Sequence, residues 1–343
     1  MIPTEGLVIA IYGPWGSGKT TLLNFVVHYL KQRQKNGQPI IVQFNPWWFS
    51  GHEDLTRRFF DQLLTVLSKW NKVRWLVADF AGYVSETHTS FASIGKVVAR
   101  LFGTKYKDVS ELKEKIADAL KKQGKRIVVI IDDIDRLTAD EIRQLFRVIK
   151  AVADFPNVVY LLAFDKEVVI KALEEMQGMP GEAYLEKIVQ VPFELPLPDK
   201  TSLRGLLFER LDAILVNTPN ELFDQTYWGN VYLEGIDHFI TTPRDIVRLA
   251  NTLSVTYPAV EGEVNPVDFI AIETLRVFCP VVYDTIRKNR KAFAGHSNTS
   301  GYFGPGVDDL KSFHNSLLDR VQKEDKEPIK RLLRRIFPKL EAV

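Results

Sequence analysis

The stretch Gly13-Pro14-Trp15-Gly16-Ser17-Gly18-Lys19-Thr20-Thr21 holds residue types that handle phosphates. It fits the phosphate-loop spacing G-x-x-x-x-G-K-[ST] without a mismatch. Its three glycines let the backbone approach phosphate oxygens and turn N–H groups toward them. Lys19 brings a full positive charge to the terminal phosphates. The Thr20 hydroxyl is a ligand of the kind Mg²⁺ takes beside phosphate oxygens. A Gly-rich turn with a chance lysine is the bland alternative, and the flanking elements argue against it.

A second charged set lies far downstream, in Arg126-Ile127-Val128-Val129-Ile130-Ile131-Asp132-Asp133-Ile134-Asp135-Arg136-Leu137. Five consecutive β-branched residues describe a strand buried on both faces of a parallel sheet. Ligands of α/β sheets bind at the carboxyl ends of such strands, and this one ends in acids. Asp132 is placed to hold Mg²⁺ through water. Asp133 is placed to orient or deprotonate an attacking water. Three carboxylates so close repel one another unless a cation is near, which argues against a surface acidic turn. Asp135 and Arg136 read less specifically, as a pair with each other or as caps for the next helix.

The elements around these residues suit the chemistry. Leu7 to Tyr12 has the length and β-branching of a buried strand. Leu22, Leu23, Phe25, Val26 and Leu30 recur at helical spacing behind the loop. A helix beginning near Gly18 adds unpaired N–H groups and a positive dipole end. Pro39 to Phe44 reads as a second strand. It runs into Asn45-Pro46-Trp47-Trp48-Phe49, either a packing plug against the next helix or an aromatic contact beside the nucleotide or a subunit. Asp54 to Trp70 reads as a helix, residues 71–107 as an insertion of lower regularity, and Ala139 to Val152 as a helix. Asn157 to Phe164 reads as a third buried strand ending in Asp165. That acid reads equally as a sensor of the terminal phosphate and as the N-cap of the helix starting at Lys166. Ala183 to Ile188 reads as a short helix and Val189 to Phe193 as the last core strand.

Pro192, Pro196 and Pro198 end the sheet pattern and set a domain boundary. Residues 1–198 read as an α/β core and 199–343 as an all-helical domain. In the helical part, Pro243 suits a first helical position. Arg244 then sits in the first turn, where the dipole gives a cation nothing, so a reach toward the nucleotide is a candidate role. The last helix, Pro328 to Phe337, carries Lys330, Arg331, Arg334 and Arg335, read as a solvated face or as a docking face for a partner or anionic surface.

Composition bounds the rest. A chain of 343 residues suits about two domains. A formal net charge of +2 gives no whole-chain electrostatic case for nucleic acid. The single cysteine, Cys279, excludes an internal disulfide framework and fits a reducing cytoplasm. Met1 is followed almost at once by the first strand, with no leader pattern, so a cytoplasmic location is expected. The most apolar stretches, Trp75 to Val84 and Phe91 to Phe102, are too short to span a bilayer. They read as amphipathic helices packed on the protein, or as a membrane-surface hairpin.

The runs GPWGSGKTT, FNPWWF, VVIIDDIDRL, LLAFD, YLEKIVQVPFELP and TTPRDIVRLAN together resemble the KAP family of P-loop NTPases, over roughly residues 5–280. The resemblance implies a three-layer, mostly parallel core of the additional-strand class, related to the AAA+ and STAND proteins, followed by a helical lid. It implies ATP and Mg²⁺ at the phosphate loop. It gives Asp132 and Asp133 the metal and water-activating roles, Asp165 a first sensor position and Arg244 a second sensor in the lid. Lys187 stands where related oligomeric ATPases place a finger toward a neighbour's nucleotide, although theirs is arginine. Family members often insert transmembrane helices between the phosphate loop and the acidic strand. Residues 71–107 occupy that place without a spanning segment, which favours the soluble type.

Three readings follow. The first is an ATPase switch acting through a homo-oligomer or an effector partner, with phage defence as one setting. The second is a nucleotide-binding scaffold with negligible hydrolysis. The third is a phosphotransferase, which the lack of any substrate-pocket motif disfavours.

Overall fold

The computed structural model describes residues 6–32, 38–51, 55–67, 70–86, 109–174, 180–294 and 307–338. The stretch 91–102, read above as an amphipathic segment, and the Ser/Asn/Gly-rich stretch 296–306 lie outside them. The chain divides into two compact units, Met1–Pro196 and Leu197–Val343.

The first unit is built on five parallel strands, β1 (Leu7–Tyr12), β2 (Ile40–Phe44), β3 (Ile127–Ile131), β4 (Val158–Phe164) and β5 (Val191–Glu194). Their order is β2-β3-β4-β1-β5. β4 thus lies between the strand that feeds the phosphate loop and the strand that ends in acids, the additional-strand arrangement. The register brings Tyr12 opposite Phe164, and Phe44 opposite Ile131. Ile131 lies opposite Leu162, so β1 and β4 run two residues beyond β2 and β3, and the residues that follow all four share one edge.

Alternation decides the layers. Val128 and Ile130 face α1 (Lys19–Gln32), whose Leu23 and Val27 pack over them together with Ile11, Leu161 and Ala163. Ile127, Val129 and Ile131 face the opposite side. There they meet α2 (Leu55–Val66), α3 (Asn71–Glu86), α4 (Val109–Gln123), α5 (Ala139–Val152) and α6 (Lys166–Glu174). All five residues of β3 are buried, as its unbroken β-branched run requires. Phe146 of α5 meets Phe164 of β4 edge-on, with ring centres 5.7 Å apart.

Two expectations change here. The stretch expected to have low regularity contains α3, which buries Val73, Leu76, Val77 and Phe80 against the core. β5 is an edge strand with all four residues exposed, because it pairs on one side only, with β1. An edge tolerates Pro192, whose missing N–H takes no ladder bond from a neighbour.

The second unit is helical throughout its described residues. Its main helices are α7 (Lys200–Ile214), α8 (Gln225–Val231), α9 (Pro243–Thr256), α10 (Pro266–Phe278), α11 (Pro280–Lys288), α12 (Val307–Leu318) and α13 (Lys326–Ile336). They bury a separate core of Leu203, Leu207, Ile246, Leu249, Ile270 and Leu332, among others. Asp237 ties the bundle together, accepting two bonds of 2.9 Å from Arg204 and one of 2.8 Å from Tyr232. Gly235 leaves room for α13, since a Cβ there would lie 2.9 Å from Leu332. Among the described residues, no helix is long and apolar enough to cross a membrane.

Candidate active site

The residues after β1, β2, β3 and β4 converge at the carboxyl edge of the sheet. After β1, Gly16 and Gly18 take φ of 89° and 101°. A side chain would be strained at those values, so the loop's glycines are a backbone requirement. Gly13 is needed for space instead, because a Cβ there would sit 2.6 Å from Ser17 Oγ. Ser17 is buried, and its hydroxyl has no hydrogen-bond partner. A buried orphan hydroxyl in a loop whose glycines hold positive φ suits a ligand rich in acceptor oxygens. Residues of the loop therefore fit a nucleotide's phosphates.

Lys19 is 7% exposed and turned back onto its own loop. Its Nζ donates to Gly13 O at 2.8 Å and Pro14 O at 3.2 Å, and pairs with Asp135 Oδ2 at 3.3 Å. Thr20 Oγ1 donates to Asp132 Oδ2 at 2.7 Å, and the Asp133 amide donates to Asp132 Oδ1 at 2.8 Å. A hydroxyl and a carboxylate in contact beside a phosphate cradle match the few protein ligands Mg²⁺ takes when phosphates supply others. No cluster of three or more His, Cys, Asp or Glu able to hold a metal occurs among the described residues. Burial pushes the Asp132 carboxyl above its ordinary value, against hydrogen bonds from Thr20 and the Asp133 amide; the charges of Asp133 and Asp135 add to the rise.

Asp133 has φ 57° and ψ 30°, a left-handed conformation that Asp tolerates better than most residues. Both of its oxygens are engaged. Asn45 Nδ2 donates to Oδ2 at 2.8 Å, and Arg136 Nε lies 2.7 Å from Oδ1. Asp165 caps α6, accepting from the Glu167 amide at 3.1 Å, while its own amide donates to Asp135 Oδ2 at 3.2 Å. The cap expectation is thus met, and the residue also touches the acidic cluster.

Several sequence readings are corrected by these contacts. Asp135 and Arg136 neither pair with each other nor cap α5. Asp135 neutralises Lys19, Arg136 neutralises Asp133, and Thr138 with Glu141 forms a capping box at α5. Lys19 and Arg136 thus supply a cation to two of the three acids, Asp135 and Asp133. Trp47 and Trp48 are not a packing plug, being 47% and 72% exposed. Phe49 takes that role by stacking on Phe44, 5.9 Å between ring centres. Trp47 instead faces the Arg136 guanidinium at 4.8 Å. Pro14, Trp15 and Thr21 are exposed on the loop and at the start of α1. Lys187 caps the short helix Gly181–Glu186 in the first unit, and Arg244 occupies the first turn of α9 in the second.

Asn45 is the site residue the sequence reading did not single out. Its signal was available, since it directly follows a strand parallel to β3 and so reaches the same edge.

A family model and several known proteins match this chain. A model of the KAP family P-loop domain matches residues 1–260. The phage T7 exclusion protein of Escherichia coli K12 is 26% identical over 314 residues, 81% of this chain and 42% of that protein. The chain therefore spans less than half of that relative's length. Among solved structures, the Aeropyrum pernix ORC1 protein in complex with DNA aligns with a TM-score of 0.42 at 13% identity, over 98% of this chain and 77% of the other. Cdc6p of Pyrobaculum aerophilum aligns with a TM-score of 0.42 at 11% identity, over 98% and 89%. On the family match across most of its length, and with the phosphate loop and acidic strand that match covers, this chain belongs to the KAP family of P-loop NTPases.

Proposed function

We propose that this protein binds ATP with Mg²⁺ and hydrolyses it to switch conformation. The observation that carries this reading is the convergence of Lys19, Thr20, Asp132 and Asp133 at one sheet edge. Phosphoryl transfer asks the protein chiefly for position and charge neutralisation. On this reading Lys19 exchanges the Gly13 and Pro14 carbonyls and Asp135 for phosphate oxygens. Ser17 Oγ and the loop amides donate to the remaining oxygens. Thr20 and Asp132 hold Mg²⁺, which supplies positive charge against the phosphates when bound. Asp133 accepts a proton from the attacking water. Asp165 reports the terminal phosphate through the Asp135 link, and Arg244 acts as the second sensor. Residues 1–198 form the ATPase core and 199–343 the lid, working in a homo-oligomer or on an effector partner. The exclusion function named for the E. coli relative makes phage defence the proposed setting.

A second reading draws on Asp133. With both oxygens already held, it would leave a nucleotide-binding scaffold with negligible turnover. ATP turnover by the wild type and by Asp133→Asn separates the two. We expect the variant to lose at least about a hundredfold, the low end for a proton-transfer group; equal rates would remove the switch reading. Lys19→Ala should abolish tight ATP binding, and calorimetry showing unchanged affinity would overturn the site itself.

A further inference from the structure

Arg136 has no part in the proposed chemistry, yet it joins three segments of the site. Its Nε holds Asp133 Oδ1 at 2.7 Å. Its guanidinium carbon lies 4.8 Å from the Trp47 ring centre and 6.0 Å from that of Trp15. Asn45 holds the other Asp133 oxygen at 2.8 Å and accepts the Trp47 amide at 3.0 Å. The contacts close a circuit: Asp133 to Arg136, Arg136 to Trp47, Trp47 to Asn45, and Asn45 back to Asp133. Trp15 attaches that circuit to the phosphate loop.

Each link has a physical reason. A carboxylate offers about four lone-pair directions, so Asn45 and Arg136 fix the Asp133 group while leaving others for a water. A guanidinium is planar and can pair at its edge while its face lies on an indole; an ammonium does not combine the two. Trp15 occupies a position the phosphate-loop spacing leaves unspecified, so the motif itself does not account for an exposed indole there.

We propose that Arg136 is a positioning residue, which sets the orientation of Asp133 and ties it to the phosphate loop through Trp15 and to the Asn45–Phe49 turn through Trp47. The inference rests on Asp133 as the water-activating acid. A shift of the loop around a bound nucleotide moves Trp15, and the Arg136 guanidinium carries that shift to Asp133. Loop occupancy and readiness for hydrolysis are thereby coupled.

The test compares Arg136→Gln, Arg136→Lys, Trp47→Phe, Trp47→Ala and the Arg136→Gln/Trp47→Ala double variant in the full chain. Arg136→Gln should lower kcat by about tenfold to a hundredfold, the scale of a misplaced reacting group. KM and the calorimetric Kd for ATP should stay within about threefold, because uniform binding is untouched. Arg136→Lys should fail to restore kcat, whereas Trp47→Phe keeps a ring face and should stay near wild type. The double variant should be no slower than Arg136→Gln, since both changes act through one carboxylate. Wild-type kcat in Arg136→Gln, rescue by lysine, or additive losses would each overturn the proposal. Asp133→Asn is the separate control. If it turns over ATP normally while Arg136→Gln is slow, the Asp133 reading and this inference both fail. If Asp133→Asn alone is slow, only this inference fails.

A second readout needs no turnover. Mg·ATP should change indole emission in the wild type, much less in Trp15→Phe/Trp47→Phe, and much less in Arg136→Gln at saturating nucleotide. A response in Arg136→Gln equal to that of the wild type overturns the coupling.

Discussion

At Lys19, the charge that the motif reserves for phosphate is held by the protein itself. Asp135 and two loop carbonyls take all three of its donors. A nucleotide must replace those partners, so Asp135 competes with phosphate. Asp135→Asn should therefore bind ATP more tightly, by about fivefold if the lost charge assistance is worth roughly 1 kcal/mol. Calorimetry that finds weaker binding would show that Asp135 serves the bound state instead. Asp132 makes a second prediction, through pH. Its folded-state value is raised from 3.8, chiefly by burial. The folded protein then holds this proton longer than the unfolded chain does. The stability it contributes is full below the ordinary carboxylate range and is lost as pH rises through the raised value. Without metal or nucleotide, the thermal midpoint of the wild type minus that of Asp132→Asn should fall across that window. A difference independent of pH there would sink the assignment. At this scale the sequence was legible for Lys19, Thr20, Asp132 and Asp133, because fixed spacing within one loop and one strand end determines them. The partners of Asp135 and Arg136 were not legible, because each lies on a different strand end or within a turn.

Helix α5 shows how an element can hold the site from outside it. Glu141 closes the Thr138 capping box and also accepts from Ser50 Oγ at 2.9 Å and the Gly51 amide at 2.8 Å. One carboxylate thus ties the helix after the acidic strand to the turn bearing Trp47. Burial pushes Glu141 up, but these hydrogen bonds outweigh it and hold the group below its ordinary value of 4.5. Thr138→Ala removes a cap and should cost about 1 kcal/mol in denaturant unfolding. Glu141→Gln should cost more, since it weakens both tethers. The excess should be present above pH 4.5 and vanish as pH falls through the lowered value. An equal cost for the two variants would mean the turn is held by other contacts. The strands and most helices were readable from period and length. The edge character of β5 was not, because exposure depends on whether another strand lies beyond it.

The two units bury separate cores, and calorimetry should detect that. Phe146→Ala should lower one transition and Leu249→Ala another, each by a few kcal/mol, as large core truncations do. Mg·ATP should raise the transition that Phe146→Ala lowers, because a ligand stabilises what it binds. If Arg244 serves as the proposed sensor, Mg·ATP should raise both transitions, and Arg244→Ala should confine the effect to the first. A shift confined to the first transition in the wild type would remove Arg244 from the site.

By itself, the sequence determined the phosphate loop, the acidic strand, the parallel core and the change to helices after residue 198. Those features depend on neighbours in the chain: glycines that allow positive φ, β-branched runs, and prolines that end a sheet. Only the tertiary structure decided who neutralises whom. It set Asp135 against Lys19, Asn45 and Arg136 around Asp133, and Trp47 on Arg136. Those pairings depend on which strands lie side by side and how far each extends, and strand order is a property of the packed sheet.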